Sequence, residues 1–134
     1  MASEFDVIER RKQVNVFKIG KLWVFKYFLE NRAIYEALLG YYKKENYRFE
    51  FKSTGERNKA LKLLESGGID YNLVEDLKGY LVWLDKSSKY APVLKNSVAY
   101  KETVNERIFL MKDLAAVEEA LSFGAKIYEG EVKF

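Results

Sequence analysis

The sequence predicts a mixed α+β domain with a ferredoxin-like βαββαβ core, and three stretches carry that prediction. Tyr47-Arg-Phe-Glu-Phe-Lys52 alternates apolar and polar residues, the period of a strand with one covered and one wet face. Ser53-Thr-Gly-Glu56 then fits a capping box, in which the serine hydroxyl accepts one free helical N–H and the glutamate reaches back to another. The helix it opens carries Ala60, Leu61 and Leu64 inward. It stops at Gly67-Gly68, with Ile69 placed for the hydrophobic contact of a Schellman end. Val14–Phe28 reads as a hairpin around the two-residue turn Gly20-Lys21, and its returning strand is apolar on both faces, so it needs cover on both sides.

The remaining elements follow in chain order. Glu4–Lys12 is charged and reads as a short helix or a frayed arm. Asn31 is placed to cap a helix with Ile34, Ala37, Leu38 and Tyr41 on one face, and Asn46 is placed to close it in the left-handed conformation. After the capping-box helix, Ile69–Val74 and Tyr80–Leu84 read as strands joined by the turn Asp76-Leu-Lys-Gly79. Ser87 or Ser88 is placed to cap a short helix through Lys95, with Pro92 restricting Ala91. Val98–Val104 and Arg107–Met111 follow as strands. Asp113 caps a last helix with Leu114, Val117, Ala120 and Leu121 inward, and Lys126–Phe134 is the final strand. From Tyr47 the order is strand, helix, strand, strand, helix, strand. That is the βαββαβ plan, with an N-terminal hairpin plus helix and a C-terminal helix–strand extension. No linker, low-complexity segment or repeat of fixed period interrupts it, so residues 1–134 read as one domain.

From the capping-box helix onward the order also resembles the αββαββα layout of LAGLIDADG-type domains. Leu63-Leu-Glu-Ser-Gly-Gly-Ile-Asp70 lacks that family's glycine-and-acid spacing, so no catalytic residue is carried over.

Composition narrows the chemistry. The chain has no cysteine and no histidine, which excludes disulfides, thiol nucleophiles, zinc–thiolate sites and the usual general base near neutral pH. No motif calls for a cofactor, and no metal site is assigned. The charge-rich, cysteine-free composition with a single glutamine leans toward a thermophile. No apolar run approaches a membrane span and no signal-peptide pattern opens the chain, so a cytoplasmic location and no membrane partner are expected. A net charge of +3 tilts only weakly toward polyanions, because 20 acidic residues are interspersed with 23 basic ones.

Two constellations offer a surface for a partner. Tyr41, Tyr42, Lys43 and Lys44, followed by Arg48, interleave aromatics with cations, the combination that stacks bases and neutralises phosphates; the same lysines also suit the last turn of a helix. Trp83 shares a predicted sheet face with Arg48, Glu50 and Lys52, which makes either a binding surface or, if the N-terminal hairpin covers it, a second core. Tyr47, Phe49 and Phe51 form the apolar set of their strand and are expected to face the helices. Glu129 and Glu131 would share one face of the last strand, a weak carboxylate pair; no catalytic residue is assigned. The expected function is therefore a non-enzymatic domain binding RNA or DNA, with a homo-oligomeric interaction module as the alternative.

Overall fold

The computed structural model describes residues 13–134; the expected Glu4–Lys12 arm lies outside the described residues. Among the described residues nine strands form two sheets. The first has the order β3-β4-β2-β1-β5, built from β1 (Gln13–Ile19), β2 (Leu22–Phe25), β3 (Tyr42–Lys43), β4 (Arg48–Phe51) and β5 (Asp70–Val74). The second has the order β7-β8-β6-β9, built from β6 (Leu81–Asp85), β7 (Ser97–Glu102), β8 (Glu106–Met111) and β9 (Lys126–Ile127). Among the described residues four helices accompany them: α1 (Arg32–Leu38), α2 (Thr54–Ser66), α3 (Ala91–Leu94) and α4 (Leu114–Ser122).

Strand alternation sets the layering. Val14 and Val16 of β1, Trp23 and Phe25 of β2, and Phe49 and Phe51 of β4 point to one side, where Ile34, Leu38, Ala60, Leu61 and Leu64 of α1 and α2 cover them. Val82, Leu84, Phe109 and Met111 of the second sheet are covered in the same way by Val93, Ala116, Val117 and Ala120 of α3 and α4. The opposite faces meet each other. Phe17, Ile19 and Val24 pack on Leu81, Val98, Ala99, Ile108 and Leu110, so the order of layers is helix, sheet, sheet, helix. A hairpin apolar on both faces therefore occupies the centre of its sheet, as its composition requires.

Three helix caps act as expected, whereas α3 starts after Tyr90 with no side-chain cap from Ser87 or Ser88, and Leu114 and Leu121 of α4 are exposed rather than inward. Asn31 Oδ1 accepts from Ile34 N–H at 3.1 Å, Ser53 Oγ from Glu56 N–H at 3.1 Å, and Asp113 Oδ1 from Ala116 N–H at 2.7 Å. Glu56 reaches back one residue beyond the cap, accepting from Lys52 N–H at 2.8 Å in place of the Ser53 N–H of a strict capping box. α2 ends on the bond from Ile69 N–H to the Leu64 carbonyl. A Cβ on Gly67 would collide with the Ile34 side chain, so this glycine lets α1 and α2 approach.

The topology corrects the single βαββαβ core drawn from Tyr47. β4 and β5 lie in the first sheet, β6 and β7 in the second. Asp76–Gly79 carries the chain between sheets rather than turning a hairpin, because β5 pairs in parallel with β1 while β6 pairs with β8 and β9. The αββαββα order from α2 onward is divided at the same point, so it forms no single sheet. Each sheet instead arises from its own βαββαβ run, β2–β5 and β6–β9, with strands in the spatial order second, third, first, fourth; β1 is inserted between first and fourth in the first sheet. Equivalent features recur. Ser53 and Asp113 cap the second helix of each run, Gly68 and Gly124 end it in the left-handed region, and Tyr42 packs on Phe49 as Tyr100 packs on Phe109. No fixed period betrays this repetition because α2 has 13 residues and α4 only 9.

Smaller corrections bear on the site. α1 stops at Leu38 and gives way to a 3₁₀ turn, Leu39–Tyr41, so Tyr42 and Lys43 form a strand and are not its last turn. The left-handed residue of the following loop is Tyr47 (φ 53°), not Asn46, and its ring is exposed instead of facing the helices. β2 leaves the sheet after Phe25, three residues earlier than expected. The last strand ends at Ile127, so Glu129 and Glu131 do not share a strand face. No described helix is long and apolar enough to cross a membrane.

Candidate functional site

Where β2 leaves the first sheet, Lys26–Glu30 runs past the N-terminus of α1 and walls a cleft of about 920 Å³. Tyr35 and Leu39 from the α1 side, Tyr42 and Phe49 from β3 and β4, and Lys95, Asn96 and Lys112 from the second sheet complete it. Its lining is mainly apolar. Phe28 stands 82% exposed at its rim. A second cleft of about 720 Å³ adjoins it, bounded by Ala91, Leu94, Val98, Ala99 and Tyr100 of the second sheet and its helix α3. Lys26, Tyr47 and Lys95 line both clefts, so the two form one groove across the sheet junction with Tyr47 between them.

The junction is held by a β-bulge. Ser97 pairs with Met111 and Ala99 with Leu110, which leaves Val98 as the extra residue of β7. The carbonyls around it accept from cations of the first sheet: Lys26 Nζ donates to the Ser97 oxygen at 3.0 Å, and an Arg48 guanidinium N–H to the Val98 oxygen at 2.7 Å. Arg48 also pairs with Glu50 at 2.8 Å, and both side chains are nearly buried between the sheets, 11% and 12% exposed.

Positive charge dominates this junction. Lys26, Lys95 and Lys112 line the groove with Arg48 beside them. Burial pulls the Lys26 ammonium below the usual lysine value, and the like charges of Lys112 and Arg48 push it the same way. Lys112 has Asp113 at 3.8 Å, whereas the Lys26 ammonium is held by the Ser97 carbonyl. The acids on the wall are Glu30 and Glu36 near α1, the latter paired with Arg32 at 3.1 Å, and Glu45 in the second cleft. An anion entering the groove would relieve repulsion among the cations.

The sequence-predicted residues divide between this groove and the interior. Tyr42 and Arg48 line it. Lys43 and Lys44 are exposed on the β3–β4 hairpin beside Tyr47, while Tyr41 turns inward against Phe51, ring centroids 4.9 Å apart. Lys52 is exposed at the end of β4. Trp83 is half-buried in the inter-sheet core with Lys126 Nζ 5.5 Å from its ring centroid, on β6, separated from β7 by β8. Arg48 docks on β7, so Trp83 and Arg48 share a layer but form no common site. Phe28, Tyr35, Lys95 and Lys112 escape sequence reasoning because they converge from four separated segments. Only Lys26, a cation interrupting the apolar run Leu22–Leu29, leaves a signal in the sequence.

In the second run the corresponding aromatics are closed on themselves. Arg107 stacks on Tyr90 at 4.2 Å and donates to the Tyr100 hydroxyl at 3.0 Å and to Glu102 at 3.2 Å. Among the described residues no group of three or more carboxylates is placed to hold a metal. Comparison with protein-family models, curated proteins and solved structures finds no match for this chain.

Proposed function

We propose that the chain binds single-stranded nucleic acid, RNA or DNA, along the groove between its two sheets. The observation that carries this reading is that exposed rings, Phe28 and Tyr47, line the same groove as Lys26, Lys95 and Lys112. Rings supply sequence-tolerant stacking and lysines neutralise the backbone, the combination that single strands require. The groove joins two βαββαβ runs, which supports reading the chain as two ferredoxin-like units packed sheet to sheet, with the ligand at their seam. Lys43 and Lys44 on the adjacent hairpin extend the positive surface.

Fluorescence anisotropy with a short labelled oligonucleotide tests the proposal. Affinity should fall steeply from low to physiological salt, since each neutralised phosphate releases counterions. Lys95→Glu, at an exposed position, should weaken binding without unfolding the chain and should flatten the salt dependence. The competing reading is a homo-oligomer in which a second copy covers Phe28 and Leu39. Absence of binding at low salt, with a stable dimer by light scattering, would favour it.

A further inference from the structure

The β3–β4 hairpin closes through Lys44–Tyr47, and its last residue adopts φ 53°. This is the left-handed position where such loops normally carry glycine or asparagine, because a side chain there strains the backbone. Tyr47 is the only non-glycine residue with positive φ among the described residues. An asparagine stands immediately before it, yet the strained position holds a tyrosine. The fold plan does not demand this, since the corresponding β7–β8 hairpin closes through Thr103–Asn105 with no left-handed residue.

The ring gives little back to the fold. It is 66% exposed and its hydroxyl has no hydrogen-bond partner among the described residues. Lys26 Nζ lies 6.0 Å from the ring centroid, at the limit of a cation–π contact. A strained residue with an exposed ring points to a role outside folding. Its place between the two clefts, with Lys26 and Lys95 lining both, indicates what that role is.

Resting on the nucleic-acid reading above, we infer that Tyr47 is a base-stacking platform, on which one base of the strand lies while its neighbours occupy the clefts on either side. A duplex cannot offer an unstacked base to this ring, so single strands are selected. Phosphates flanking the stacked base would lie against Lys26 and Lys95.

Tyr47→Gly and Tyr47→Phe test this by two readouts. Tyr47→Gly should lower affinity for a short single-stranded adenine oligonucleotide about ten-fold or more, the scale of one lost base stack. Its denaturation midpoint should equal or exceed that of the parent, because glycine relieves the left-handed strain. Tyr47→Phe keeps the ring and should keep the affinity. The parent should bind an abasic oligonucleotide of equal length more weakly, and Tyr47→Gly should erase most of that difference. An affinity for Tyr47→Gly within about two-fold of the parent, or a lowered midpoint, would overturn the platform. If Lys95→Glu weakens binding while Tyr47→Gly does not, the groove reading stands and the stacking inference falls. If the parent binds no oligonucleotide at low salt, both fall.

Discussion

Phe17→Ala is expected to destabilise the protein by about 3–5 kcal/mol, the scale of removing a large aromatic from a closed core. Phe17 is completely buried on the inner face of β1 and meets Tyr80 edge-on, ring centroids 5.3 Å apart. Around it lie residues of both sheets, so the cavity left by truncation would open between layers held together by this packing. Chemical denaturation with a two-state fit measures the change. A loss below about 1 kcal/mol would mean that the two sheets do not pack face to face.

A comparable loss, about 3–5 kcal/mol, is expected for Arg48→Ala. The substitution leaves the nearly buried Glu50 carboxylate without its counter-charge, with only the Asn46 amide at 3.4 Å still donating to it, and leaves the Val98 carbonyl without the guanidinium it now accepts from. Replacing the pair together, Arg48→Met with Glu50→Leu, should recover most of the loss, because no unpaired charge remains buried. The double-mutant cycle separates this from a general intolerance of change at the junction. If the double variant is as unstable as Arg48→Ala, the cost lies in packing or in the carbonyl contact, and the ion pair contributes little. The sequence marks Arg48 as a binding residue; its placement gives it first a structural task.

Local chemistry was legible in the sequence, and long-range pairing was not. Ser53, Asp113, Gly20 and the Gly67-Gly68 stop each act through neighbours a few residues away, so their roles follow from spacing alone. The hairpin apolar on both faces correctly required a covering layer on each side. What filled the second layer was hidden, because β5 and β6 adjoin in sequence and both read as strands whether they pair together or part into two sheets. The same limit explains the site. Tyr42 and Arg48 stand out within one aromatic and basic run, but the groove is also lined by Lys95 and Lys112, which only the facing of two sheets brings to it. Tyr47 looked apolar by alternation with Phe49 and Phe51; the hairpin's left-handed corner turns it out to solvent.

The central proposal is that the groove at the sheet junction binds single-stranded nucleic acid. Chemical-shift mapping on the nitrogen-labelled chain, titrated with an unlabelled single-stranded oligonucleotide at low salt, tests it most directly. The backbone amides of Lys26–Leu29, Tyr47, Lys95, Asn96 and Lys112 should shift together. Those of Glu75–Lys78 and Tyr128–Glu131, which line a separate cleft at the far end of β5, should stay in place, whereas Phe134, which lines the second cleft of the groove, is free to shift with it. Shifts centred on that separate cleft, or none at all, would contradict the account.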